Sequence, residues 1–145
     1  MQLAHCRLDG RNAHEVGREL LYALLQERRP VLLSPTGKPY LEGGPHFSIS
    51  HTQNHVFCAV SEENIGIDAE EQDRTFSPAL ITRWCSAAEQ SRIRENADFL
   101  RLWVLKESYA KFTGRGIGNY LKETDLDPRD SRVQVVDGCF LAIWT

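Results

Sequence analysis

No long apolar run occurs in this sequence. None of its hydrophobic stretches approaches the length of a membrane span, and the first residues, MQLAHCRLDGR, carry no apolar segment of the kind that heads a secretory signal. The expectation is a cytoplasmic protein that does not enter a membrane. Nor is there a surplus of positive charge. With 17 Lys and Arg against 20 Asp and Glu, the formal net charge is −3, which argues against a general nucleic-acid binder and leaves room only for a local basic patch. There is no CxxC pair. Cys6, Cys58, Cys85 and Cys139 are scattered, and Cys58 and Cys139 sit in apolar, strand-like runs. That pattern suits buried free thiols better than disulfides, and disulfides better than zinc. Internal repeats, low-complexity tracts and linkers are also lacking. At 145 residues, with ordinary apolar and charged fractions, residues 1–145 read as a single domain.

What is present is periodicity. Val16, Leu20, Ala23 and Leu24 recur at helical spacing between Asn12 and about Arg28, and Pro30 stops that helix. Val31 to Leu33 reads as a short strand, followed by a turn over Ser34 to Pro39 and a glycine-rich loop over Leu41 to Pro45. His46 to His51 alternates and ends at a polar tip, His55 to Val60 is a second strand, and Asn64 to Glu70 a third. Three short strands in series predict an antiparallel meander with one covered face. Ser77-Pro78 opens a helix, and Ser86 to Glu89 matches a capping box. The longest helix is expected between Asp98 as N-cap and Gly114 as the residue that closes it. It carries Phe99, Leu102, Trp103, Leu105, Tyr109, Ala110 and Phe112 on one buried arc. Arg132 to Val136 and Cys139 to Trp144 flank Asp137-Gly138, a hairpin signal. Helix, strands, helices, strands is an α+β order, with an antiparallel sheet packed against helices.

Three acids stand out. Asp68 and Glu70 are two apart on a strand and share a face, while Ile67 and Ala69 take the other. Neighbouring carboxylates repel unless a cation or protons relieve them. Glu107, one helical turn from Lys111 at the margin of the long helix, adds a third. Such a trio of hard oxygens suits Mg²⁺ and not zinc. The same residues also fit an acidic strand exit and a surface ion pair, and taken alone they leave both readings open. The other candidates divide likewise. Lys38 in Gly37-Lys38-Pro39 fits an ordinary turn, His51 beyond Ser48 and Ser50 fits either a phosphate contact or a surface histidine, and Arg115 fits an anion or solvent. His46, His51 and His55 fall on no common face, so zinc is not expected there.

Taken together, these stretches resemble the 4′-phosphopantetheinyl transferases of the type that serves peptide and polyketide synthetases as well as fatty-acid carrier proteins. The resemblance is carried by Gly66-Ile67-Asp68-Ala69-Glu70 and by Trp103-Val104-Leu105-Lys106-Glu107-Ser108-Tyr109-Ala110-Lys111. Upstream it is supported by Gly37-Lys38-Pro39-Tyr40, Phe47-Ser48-Ile49-Ser50-His51-Thr52 and Gly17-Arg18-Glu19-Leu20-Leu21. It implies a Mg²⁺-dependent transfer of 4′-phosphopantetheine from coenzyme A to a serine of an apo-acyl or peptidyl carrier protein. Asp68, Glu70 and Glu107 would hold Mg²⁺ on the pyrophosphate, with Glu107 also taking the serine proton. Lys111, helped by Lys106, would neutralise the pyrophosphate. Lys38 and Pro39 would touch the adenine end, and Ser50, His51 and Arg18 would belong to the coenzyme A site, the last two at the 3′-phosphate.

Against that family pattern the chain is short. The resemblance implies a fold cut back at both ends, without the N-terminal strand, and a state that is either monomeric or a homodimer paired through a sheet edge. A non-catalytic module that binds coenzyme A or a carrier protein is the alternative function. Arg83, Arg92, Arg94 and Arg101 are candidates for a basic patch facing an acidic carrier.

Overall fold

In the computed structural model, which describes Met1–Thr145, the Asn12 side chain accepts the backbone N–H groups of His14 at 3.0 Å and Glu15 at 3.1 Å. That cap opens α1 (Ala13–Leu25), and Gln26 closes it in the left-handed region at φ 58°. The helix therefore ends before Pro30 can act on it. Eight strands follow the chain: β1 (Gln2–Arg7), β2 (Leu32–Leu33), β3 (Pro39–Tyr40), β4 (His46–His51), β5 (His55–Ser61), β6 (Gly66–Glu71), β7 (Val133–Val136) and β8 (Cys139–Trp144). Between β6 and β7 lie α2 (Pro78–Trp84), α3 (Ala87–Arg92), α4 (Asn96–Thr113) and a 3₁₀ turn over Asn119–Glu123. The α+β class is as expected.

The meander is not. The order in the first sheet is β1-β5-β4 and in the second β6-β8-β7, both antiparallel, while β2 and β3 pair alone. β1, where no strand was expected, pairs along its whole length with β5, from Gln2 opposite Val60 to Arg7 opposite His55. Its half-exposed residues carry only weak alternation, which is why inspection passes over it. β6 does not continue from β5. It gives its backbone ladder to β8, whose side chains from Cys139 to Ile143 are buried. It lies instead beside β4, joined by side chains: the N–H of Ile67 donates to Ser48 Oγ at 3.0 Å and that of Ala69 to Ser50 Oγ at 3.1 Å. Two serine hydroxyls thus stitch the two sheets together where no continuous ladder exists.

α4 packs on β6 and β8. Asp98 sits at its third position and accepts the N–H of Arg94 at 2.9 Å and of Glu95 at 3.2 Å, so Glu95, not Asp98, is the cap residue. Gly114 closes the helix at φ 69° as expected. Burial is not confined to one arc. Leu100, Val104 and Leu105 meet Phe140 and Ala142 of β8, while Phe99 and Leu102 meet Cys85 and half-buried side chains of α2. Trp103 is only half-buried, among the rings of Phe76, Trp84 and Phe99. A helix with sheet on one side and helices on the other has no single wet face.

Gly66 sets how closely β6 approaches this helix. A Cβ there would lie 2.2 Å from the Ser108 carbonyl oxygen and 2.3 Å from the Phe112 nitrogen, both backbone atoms that cannot yield alone. Gly66→Ala is expected to lower the unfolding free energy by about 1–3 kcal/mol through forced separation of β6 and α4. Denaturant unfolding checks this, and parental stability would contradict the close approach.

Candidate active site

The strand alternation of β6 sends Ile67 and Ala69 into an apolar cluster with Phe57 and Leu141, and turns Asp68 and Glu70 the other way, toward α4. Asp68 is buried. Its Oδ1 accepts from Ser50 Oγ at 2.9 Å and from Lys111 Nζ at 2.7 Å. Glu70 is also buried and is bonded to the Arg74 guanidinium; burial raises its proton affinity, partly offset by Arg74. Glu107 is half-buried and accepts no hydrogen bond. Burial, then the nearby charge of Asp68, pushes its carboxyl up to about 7 against the pull of Lys111. Three carboxylates therefore face one another with two cationic side chains among them, and Glu107 is the one without a partner.

Beside them lies a cavity of about 280 Å³. Phe47, Ile49 and Ala110 give it apolar walls, Glu107 and Lys111 stand at one side, and Lys38 and Pro39 at another. Lys38 Nζ donates to Asn64 Oδ1 at 2.7 Å and to the Phe112 carbonyl at 3.0 Å, which places its charge at the C-terminal end of α4, and burial lowers its pKa. A profile of the 4′-phosphopantetheinyl transferase superfamily matches residues 64–144, a span that holds all three carboxylates, Arg74 and Lys111. The chain belongs to this superfamily. Among its relatives, the 4′-phosphopantetheinyl transferase psf-1 of Bacillus pumilus is 36% identical over 67% of this chain and 45% of its own length. The 4′-phosphopantetheinyl transferase HetI of a Nostoc species is 35% identical over 68% of this chain and 43% of its own. The L-aminoadipate-semialdehyde dehydrogenase-phosphopantetheinyl transferase of Xenopus laevis is 31% identical over 67% of this chain and 40% of its own. The chain spans about half the length of the curated relatives it matches.

Of the residues expected to serve a transferase site, the fold brings Lys38, Pro39, Glu107 and Lys111 to the cavity and sets Asp68 and Glu70 beside Glu107. Ser50 lies on β4 next to Asp68, but its buried hydroxyl is engaged by Asp68 and the Ala69 N–H, so it orients the carboxylate instead of facing a ligand. His51, exposed at the tip of β4, and Arg18, half-exposed on α1, do not line the cavity.

Lys106 must be corrected. As the neighbour of Glu107 on a helix it points away from the cavity. It is fully buried, with Nζ 2.7 Å from Glu89 Oε2 and donating to the Leu121 carbonyl at 2.6 Å and Thr124 Oγ1 at 2.5 Å. It cannot reach a pyrophosphate. Its partner Glu89 was legible only as a capping-box residue, a role it also performs. Two of the four arginines expected in a basic patch are held by the fold, while Arg83 and Arg94 stay exposed. Arg92 bonds Asp125 at 2.5 Å and the Leu126 carbonyl at 2.9 Å, and Arg101 bonds the Pro128 carbonyl at 2.5 Å. Both arginines clamp the segment before β7. Asn64 and Arg74 escaped sequence reading, since neither carries a pattern that separates it from an ordinary loop residue. The four cysteines are free thiols, three of them buried, as expected.

As the side chains stand, no three His, Cys, Asp or Glu residues converge tightly enough to ligate one ion. Lys111 draws Asp68 aside and Arg74 draws Glu70. The donor chemistry still fits a hard divalent cation: the set is all carboxylate oxygen, and Glu107 is left with neither a donor nor a counter-charge of its own. No helix of the chain is long and apolar enough to cross a membrane.

Proposed function

We propose that this chain transfers the 4′-phosphopantetheine group of coenzyme A to a serine of an apo-acyl or peptidyl carrier protein, leaving adenosine 3′,5′-bisphosphate. The observation that carries this reading is the meeting of Asp68, Glu70 and Glu107, all three within the stretch that matches the transferase superfamily, beside a cavity rimmed by Lys38 and Lys111. Asp68, Glu70 and Glu107 would hold Mg²⁺. Bound there, it would supply charge neutralisation for a pyrophosphate and its leaving group.

The remaining work falls to the chain itself. Lys111, poised between Asp68 and the cavity, neutralises the pyrophosphate. The carrier serine oxygen attacks the β-phosphorus, the bond to the bridging oxygen breaks, and Glu107 takes the serine proton, directly or through a water. Lys38 and Pro39 meet the adenine end, where the apolar wall of Phe47 and Ile49 offers contact area. The nucleophile arrives on the partner, so the chain needs no Ser-His-Asp arrangement of its own. We read it as a cytoplasmic protein, monomeric or homodimeric.

The test is an intact-mass assay with coenzyme A, Mg²⁺ and a panel of apo-carrier proteins. A carrier that gains the phosphopantetheine mass, and fails to do so with chelator, establishes the transfer. Coenzyme A binding with no mass gain on any carrier would instead support a binding module.

A further inference from the structure

Arg74 is the one cation at the carboxylate trio that does not line the cavity. It lies in a separate, open polar groove with Gln53, Asn54, Asp73 and Thr75, which shares no lining residue with the cavity. Its placement is built from several directions. Its guanidinium sits on Glu70 and over the Phe76 ring, 4.4 Å from the centroid. Its carbonyl accepts from Asn96 Nδ2 at 2.7 Å, at the start of α4, and its N–H donates to the Glu71 carbonyl at 3.1 Å. The side chain is nonetheless 52% exposed, whereas the Glu70 side chain is 10% exposed. A half-solvated cation thus covers a buried carboxylate. A second acid waits beside it. Both Glu71 oxygens are already taken by Thr52 and Asn54, but Asp73, in the same groove, accepts no bond and pairs with no cation.

We propose that Arg74 is a resident counter-ion that holds Glu70 until a divalent cation replaces it, and so weakens metal binding by the site alone. This rests on the reading of Asp68, Glu70 and Glu107 as the cation site. Two effects act in the same direction: the guanidinium competes for the Glu70 oxygen, and its charge repels an incoming cation. On release, Arg74 swings to Asp73 in the groove. Lys111 does not play this part, because it stands at the cavity, where an anionic substrate would receive it.

The experiment is a titration of MgCl₂ at constant ionic strength into the parent, R74Q, R74K and D68N, without coenzyme A, read by calorimetry and by the rise in melting temperature. R74Q is expected to bind Mg²⁺ about fivefold more tightly than the parent, the ratio that corresponds to about 1 kcal/mol for a partly exposed ion pair. R74K should stay near the parent and D68N should lose binding. A merely structural role for Arg74 would lower the metal-free melting temperature of R74Q and leave its Mg²⁺ affinity at the parental value, which would overturn the proposal. Weaker binding by R74Q would overturn it too, by making Arg74 an organiser of the site. If neither parent nor R74Q responds to Mg²⁺, the cation-site reading itself fails and takes the proposal with it. Should R74Q not fold, R74A in the same titration decides between these outcomes.

Discussion

Glu107→Gln is expected to keep the fold, to raise the melting temperature of the metal-free protein above pH 7, and to lower the proposed phosphopantetheine transfer by about 10²–10³-fold, as loss of one preorganised charge does in comparable sites. The stability effect follows from linkage. Burial and Asp68 raise the Glu107 pKa from its usual 4.5 to about 7 in the folded chain. Between those values the folded state holds more proton than the unfolded state, so stability falls as pH rises from about 4.5 to about 7 and is level beyond. Glutamine carries no such penalty. The difference in melting temperature between variant and parent should be near zero at the acid end of that window and largest above it. A pH series of thermal melts reads this without any substrate. A variant that melts like the parent at pH 8 would mean that Glu107 is not held among its carboxylate neighbours. Near-parental transfer would remove it from the chemistry.

Lys106→Met is expected to be the more damaging change to the fold, lowering unfolding free energy by about 3–5 kcal/mol. The Lys106 and Glu89 side chains are 1% and 0% exposed and meet at 2.7 Å. Glu89 also accepts from Thr124 Oγ1 at 2.8 Å and the Leu126 N–H at 3.0 Å, so this one pair ties α3, α4 and the segment after the 3₁₀ turn together. Removing the ammonium leaves a charged carboxylate in a place water cannot reach. The double variant E89Q/K106M, which removes both charges, should recover a substantial part of the loss, because the penalty lies in the unpaired ion. Urea unfolding of the four proteins in this cycle measures it. A single variant within 1 kcal/mol of the parent would contradict a sealed pair. Such a cycle also separates Lys106 from the site: E89Q/K106M, if folded, should retain the cavity that Lys38 and Lys111 rim.

The elements with strong local signals were readable in one dimension. Asn12, Ser86 and Gly114 bring hydrogen-bonding or conformational preferences that act within a few residues, and all three terminate helices here. Asp137-Gly138, both at positive φ, turns β7 into β8 for the same reason. The pairing of Asp68 with Glu70 needed only strand alternation, and Glu107 with Lys111 only the helical repeat. Those local rules, with the family resemblance, were enough to point to the residues that face one another beside the cavity.

What they could not reach is set by contacts between distant segments. Strand order is one case: β6 takes β8 as its ladder partner and meets β4 through Ser48 and Ser50, because the buried strand β8 from the far end of the chain takes the place of the adjacent β5. The fate of each lysine is another. Lys106 and Lys111 look alike as charges near an acid, yet one turns inward to Glu89 and the other faces Asp68 and the cavity, since their difference of five positions places them on opposed sides of a helix buried all round. Arg74 became visible only once the strand exit folded it back over Glu70. Periodicity, caps and turn residues act over one turn of chain and are written in sequence. Which charges are desolvated, and against what, depends on packing across the whole chain, and that only the tertiary structure decides.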